Sequence, residues 1–197
     1  MAVKKATEIP TIDVNLVTIQ EQGTDGTVTG DEYILDTASQ IEVEPQIEEE
    51  DGVKLIIKGV LKAQKPSTST LTGNQITLTD NVFTPELVQM LQGGVVTTGA
   101  DGTVTGYTPP VAGSNEKGKI FTLNAYSAQY NAAGIIVRYE KISYPNCQGV
   151  PIAFGSEDGT FRAPEYTINS APNIGQAPYE ITYVSELPAP AVTPVTP

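Results

Sequence analysis

Short alternating segments of β-prone residues, interrupted at close intervals by Gly, Pro, Asn and Asp, are the feature that most limits how this sequence can fold. Thr, Val, Ile and Tyr dominate these segments, a composition typical of antiparallel strands. Nine of them are predicted to be strands: 11–20, 32–36, 41–47, 53–63, 75–79, 119–130, 135–144, 161–168 and 179–184. We therefore predict an all-β fold, mainly an antiparallel sandwich or barrel, with long loops.

One segment, near residues 85–92, carries the signals of a short α-helix. Thr84 is suited to the N-cap and Pro85 to the first helical position, while Glu86 complements the positive amino end. Gly93 supplies a left-handed stop. The face formed by Leu87, Met90 and Leu91 is expected to cover a sheet.

A long hairpin is predicted over residues 41–63, and two registers are open. In one, Asp51-Gly52 is a two-residue turn; in the other, Glu50, Asp51 and Gly52 form a three-residue turn. We favour the second because it separates a mainly apolar face from a charged one, on which two ion pairs form. Those pairs are Glu48 with Lys54 and Glu44 with Lys58. Pro45 lacks an amide donor, which indicates an edge strand or a bulge.

Negative charge is concentrated at the amino end. The 197 residues carry 23 Asp and Glu against 11 Lys and Arg, a net charge of −12, and residues 1–51 hold 13 of the acids and two of the bases. Such a chain repels a polyanion, which argues against gripping nucleic acid. With no histidine and one cysteine, catalytic triads and zinc sites are unsupported. We expect no enzyme activity, no catalytic residues, no cofactor and no metal site.

The remaining segments indicate appendages on a single domain spanning 1–187. Residues 93–114 are predicted to be an exposed arm or loop, and 188–197 a Pro/Thr-rich extended tail. The motif Asp-Gly-Thr-Val-Thr-Gly occurs at 25–30 and at 101–106, which we interpret as recurrent turn chemistry rather than a duplicated binding unit. Cys147 is expected to be a structural thiol. No signal peptide or apolar span is visible, so synthesis in the cytoplasm without secretion is expected.

Several carboxy-terminal segments resemble major tail proteins of tailed bacteriophages. The resemblance is carried by the strand pattern of 119–188, including Tyr139-Glu140-Lys141-Ile142-Ser143-Tyr144-Pro145-Asn146-Cys147-Gln148-Gly149, Glu157 to Ile168, and Pro178 to Pro188. The helix ending at Gly93-Gly94, between an amino-terminal hairpin and carboxy-terminal strands, is also similar to that family. The 93–114 segment and the proline tail are not part of the resemblance.

This resemblance implies a two-sheet sandwich with one flanking helix, stacked as hexameric rings into the tail tube of the virion. Its implied partners are further copies of itself and other tail proteins (tape measure, tail terminator, distal tail), with DNA passing through without tight binding and no membrane. Arms would cross between neighbouring subunits.

An acidic wall would keep DNA sliding. Our hypothesis is that Glu42, Glu44 and Glu48 face the channel; the competing assignment pairs them with Lys54 and Lys58 at the ring interface. Two other classes of function stay open: a virion decoration or baseplate domain, and a cell-surface adhesion or pilin-like domain.

Overall fold

The computed structural model describes residues 10–23, 25–153, 155 and 157–189, and its fold is all-β with one short helix, as predicted. The described strands do not close into a barrel. In chain order the elements are β1 (Thr11–Gln22), β2 (Val28–Leu35), β3 (Ala38–Glu50), β4 (Val53–Ile57), β5 (Val60–Lys65), β6 (Thr68–Asp80), α1 (Pro85–Gln92), β7 (Val95–Thr98), β8 (Val104–Thr108), β9 (Phe121–Tyr130), β10 (Ile136–Gly149), β11 (Glu165–Ser170) and β12 (Glu180–Val184).

Eight of these strands form one antiparallel sheet in the order β2-β1-β9-β10-β11-β6-β3, with β12 also paired to β10. The sheet branches at β10, whose residues 139–143 pair with β12 and 147–149 with β11. Between these stretches, Pro145 and Asn146 form a bulge against β9, and Asn146 has a φ of 50°. Because a bulge bends its strand, β10 serves two parts of the sheet.

The core is built from both parts of this branched sheet. Tyr166, Phe121, Ile19, Ile76 and Leu78 are among the largest fully buried side chains, and they come from β11, β9, β1 and β6. In β6 and β11 these buried residues alternate with partly exposed polar ones. Burying each such apolar side chain contributes roughly 1.5–3 kcal/mol. The predicted period-two alternation therefore holds in β6 and β11, whereas β1 and β9 each bury four consecutive residues.

The helix spans Pro85–Gln92, as predicted, and closes one side of the core. The predicted apolar face is confirmed, with Val88 joining it as a fourth buried residue. Thr84 stands at the N-cap position but makes no side-chain capping hydrogen bond. Gly93 ends the helix at φ 84° and ψ −157°, a region essentially restricted to glycine.

The predicted hairpin register is wrong, as is its alternative. β3 pairs with β6, placing Glu48 opposite Thr70 and Glu44 opposite Gln75, whereas β4 pairs with β5. The single predicted strand 53–63 is broken by Lys58 and Gly59, whose φ values of 50° and 78° are those of a type I′ turn. This two-residue turn makes a local hairpin, and β3 gains a longer partner, β6. Pro45 does lie on an edge strand, as predicted.

The ion pairs predicted across that hairpin are therefore not formed in register. Lys54 lies opposite Gln64, and Lys58 occupies the turn. The Glu50-Asp51-Gly52 segment is not a hairpin turn either, since Asp51 and Gly52 connect two strands that do not pair with each other. A Cβ on Gly52 would stand 2.9 Å from the Lys65 carbonyl oxygen, so the chain crosses too closely here for a side chain.

The repeated Asp-Gly-Thr motif forms the same turn twice, which confirms its interpretation as turn chemistry. Asp25 Oδ1 accepts from the Thr27 amide at 3.0 Å, and Asp101 Oδ1 from the Thr103 amide at 3.1 Å. The pKa of the Asp25 carboxyl is lowered by hydrogen bonds from the Thr27 hydroxyl and then its amide, and that of Asp101 by the hydrogen bond from the Thr103 amide. The second copy joins β7 to β8, so the predicted 93–114 loop contains an ordered hairpin. Positions 1–9 and, in the predicted tail 188–197, positions 190–197 lie outside the described residues.

Candidate assembly surfaces

The far ends of β3 and β6 and the β4–β5 hairpin together form an exposed arm, residues 46–72. We call 46–51 with 66–72 the stem, and the hairpin 53–65 the tip. Every residue from 44 to 72 is exposed, in contrast to the buried positions that follow from Gly73. The arm therefore contributes no side chain to the core of its own chain.

The tip presents apolar side chains on both of its faces. Val53, Leu55 and Ile57 share one face and are 64%, 52% and 48% exposed. Ile56 and Leu61, directly opposite each other across the hairpin, lie on the other face and are also exposed. An isolated two-stranded hairpin is marginally stable in water, and exposed apolar patches mark interaction sites. The tip is thus the strongest candidate for a protein–protein contact.

Charge is divided along the arm. The tip contains four lysines and no acid: Lys54, Lys58, Lys62 and Lys65. The stem contains four acids and no base: Glu48, Glu49, Glu50 and Asp51. An ion pair between Lys65 and Glu50 joins the two regions at their boundary. Both partners are largely exposed, so this pair contributes little to the stability of the fold.

A second surface, the acidic face, is the outward side of β3, β6 and β11. Its rows run straight across the three strands, for example from Glu42 to Thr77 and on to Thr167. No Lys or Arg occurs in any of the three strands. The residues of the acidic face are Gln40, Glu42, Glu44, Gln75, Thr77, Thr79, Glu165, Thr167 and Asn169.

The structure separates the three acids proposed for the channel or interface. Glu42 and Glu44 lie on the acidic face, opposite Thr77 and Gln75, whereas Glu48 lies on the stem of the arm. All three side chains are exposed. One strand therefore supplies acids to two different surfaces, and the two assignments proposed from sequence need not exclude each other.

A smaller hairpin, β7–β8, is fixed to the end of the helix by a tyrosine that sequence reasoning did not single out. The Tyr107 hydroxyl donates to the Gly93 carbonyl and accepts from Gln92 Nε2, both at 2.8 Å. The Gly94 amide donates to Glu116 Oε1 at 3.0 Å. The sequence signal that could have identified Tyr107 is an aromatic residue inside a Gly/Thr-rich loop.

Cys147 is fully buried beneath the bulge of β10, as expected for a structural thiol. Its Sγ donates to the Tyr144 carbonyl at 3.2 Å, and burial raises the pKa of the thiol to about 12. Nucleophilic cysteines need the opposite shift. Within the described ranges, no three Asp, Glu or Cys side chains gather in a way that could hold a metal ion.

No helix in the described part of the chain has the length and apolar character of a membrane span. No family model and no curated protein matches this sequence. Among solved structures, a chain from the cryo-EM structure of the anti-feeding prophage baseplate, 6-fold symmetrised, is 8% identical; the match covers 94% of this chain and 98% of that chain, with a TM-score of 0.34. This similarity is too low to establish a shared fold.

Proposed function

We propose that this chain is a structural virion protein that assembles as stacked hexameric rings into a phage tail tube, with the acidic face lining a channel for DNA. The acidic face is the observation that carries the proposal. Glu42, Glu44 and Glu165 stand on a continuous sheet surface whose three strands contain no Lys or Arg. Repeated around a ring, such a surface repels duplex DNA from every side.

Open sheet edges support assembly by strand pairing. β2 and β3 form the two ends of the strand order, and β12 pairs only with β10 among the described strands. Unpaired edges are templates for pairing with another chain. Head-to-tail contacts of this kind close into rings when their rotation permits. The exposed arm then supplies a second contact between subunits.

The role is mechanical, so we propose that the protein is not an enzyme and needs no cofactor. Its partners would be further copies of itself and the other proteins of the tail, within the virion. The sequence resemblance to phage major tail proteins supports the same proposal.

The first test asks whether the purified full chain forms rings or tubes. Light scattering coupled to gel filtration gives the mass, and negative-stain electron microscopy gives the shape. Six-fold rings or tubes with an open channel are expected. A chain that stays monomeric across the accessible concentration range contradicts the tube proposal and favours a decoration or adhesion domain.

The second test reverses the charge of the acidic face. Glu42→Lys with Glu44→Lys is compared with Glu157→Lys and Asp158→Lys, which changes the net charge equally at an exposed loop. Tubes of the first variant are expected to retain short duplex DNA on sedimentation, and those of the control to release it. Intact tubes that release DNA normally exclude a channel-facing position, and loss of assembly assigns these acids to an interface.

A further inference from the structure

The strands of the tip do not pair with the strands of its own stem. β4 and β5 form a sheet of their own, separate from the β3–β6 pairing that builds the stem. The six large apolar residues of the tip, Val53, Leu55, Ile56, Ile57, Val60 and Leu61, are 48–64% exposed. Folding of a single chain therefore leaves this apolar hairpin uncovered.

The stem offers an apolar patch of matching character. Ile47 and Leu71 lie directly opposite each other across the β3–β6 ladder and are 55% and 40% exposed. Glu49 follows two residues after Ile47 and so points to the same face. The stem thus presents two apolar side chains next to the Glu49 carboxylate, and the outer backbone groups of its edge strand, β3, face no described strand.

Charge on the tip and on the stem is equal and opposite. Once Lys65 and Glu50 are paired within the chain, three lysines remain on the tip and three acids on the stem. The lysines are Lys54, Lys58 and Lys62, and the acids are Glu48, Glu49 and Asp51. This balance favours a second copy of the chain over nucleic acid as the occupant of the tip, because the neighbouring stem repels phosphate.

We propose that the tip of one copy docks on the stem of the next, with its apolar side chains against Ile47 and Leu71 and its lysines near the acids along the edge of the stem. The inference rests on the proposed function only in requiring that copies of the chain assemble. Because donor and acceptor are different patches, every copy can both give its tip and receive one. The arm is then a directional connector between subunits.

A charge-swap experiment tests this docking. The tip variant carries Lys54→Glu, Lys58→Glu and Lys62→Glu; the stem variant carries Glu48→Lys, Glu49→Lys and Asp51→Lys. Each variant alone brings like charges together, so the concentration at half assembly should rise about tenfold or more. Combining all six substitutions in one chain should restore assembly.

Mixing the two single-patch variants is the most discriminating measurement. Each contact between unlike variants is complementary again, so a 1:1 mixture should assemble where neither component does, in particles that alternate the two chains. The exposed-loop variant Glu157→Lys with Asp158→Lys, which shifts the net charge in the same direction as the stem variant, serves as the control and should assemble normally. Unchanged melting temperatures and circular dichroism show that the core is intact in every variant.

The outcomes separate this inference from the proposed function. If the unmodified chain never assembles, the proposed function fails. If it assembles and the tip variant assembles equally well, tip-to-stem docking is wrong while the tube proposal stands. Loss of assembly in both variants without rescue on mixing also overturns it, since the lysines and acids would then contact other partners. Binding of duplex DNA that depends on the tip lysines in a gel-shift assay would overturn the proposal, because it would show that the tip binds nucleic acid rather than a second copy of the chain.

Discussion

Gly149→Ala tests how the helix is seated on the sheet. Gly149 ends β10 directly beneath α1, where an added Cβ would stand 2.4 Å from Leu91 Cβ and 2.5 Å from Leu91 Cα. Relaxed carbon–carbon contacts lie at about 3.5–4.0 Å, so the helix must move away by about 1 Å or more. Backbone atoms make up part of the contact, so no side-chain rotation relieves it.

The cost follows from what the helix buries. Leu87 and Val88 are fully buried and Leu91 nearly so, and moving α1 loosens all three at once. Overpacking a core usually costs about 1–3 kcal/mol, and we expect about 3 kcal/mol here. For a chain of 150–250 residues each kcal/mol lowers the melting temperature by roughly 2–4 °C, which predicts a fall of about 6–12 °C.

Thermal unfolding followed by circular dichroism measures this effect, with Gly106→Ala as the control. Gly106 has open space around its Cβ position and no positive φ, so alanine there should leave the melting temperature unchanged or slightly higher. The measurement uses subunits kept dissociated, so that assembly does not contribute. A Gly149→Ala protein that melts within about 1 °C of the unmodified chain would refute this account of the packing.

Three further predictions concern the second hairpin, alkaline stability and the tip. Tyr107→Phe removes two hydrogen bonds between β8 and the helix end, so amide hydrogen exchange in β7–β8 should accelerate about tenfold. Exchange in β9 should be unchanged. Equal exchange rates of β7–β8 in the two proteins would show that Tyr107 does not fix this hairpin to the helix. Burial raises the pKa of Tyr144, Tyr166 and Cys147 to about 12 each, so the folded chain keeps protons that the unfolded chain loses. Stability should therefore be full below about pH 9 and fall between about pH 9 and 12, with a shallower fall in Cys147→Ala; a flat urea midpoint over that range would oppose this. Gly59→Ala strains a turn at φ 78° without a clash, so it should weaken assembly and leave the melting temperature of the dissociated subunit unchanged; normal assembly would show that the tip geometry is unimportant.

Local chemistry determined much of this fold. The helix was predictable over its full length because Pro85 fixes a helical φ at its start and Gly93 can adopt the positive φ that ends it. The Asp-Gly-Thr turns were predictable because Asp25 and Asp101 bond to amides only two residues away. The edge position of β3 followed from the missing amide of Pro45.

Strand pairing was decided by contacts that no local pattern encodes. Both registers considered for residues 41–63 joined sequence neighbours, whereas β3 found its partner in β6 and left β4–β5 as a separate hairpin. The Lys58-Gly59 turn that permits this lacks the usual Asn or Asp at its first position, so it gave little signal.

For the candidate surfaces too, the sequence determined some properties and the tertiary structure decided others. The sequence by itself determined the negative charge, its concentration in the first 51 residues and the absence of histidine chemistry. Only the tertiary structure decided that Glu42 and Glu44 lie on a sheet face while Glu48 lies on an arm, because pairing with β6 carries one strand from the body of the fold out into solvent. Charge is a property of composition, but the surface that bears it depends on which distant strand lies alongside.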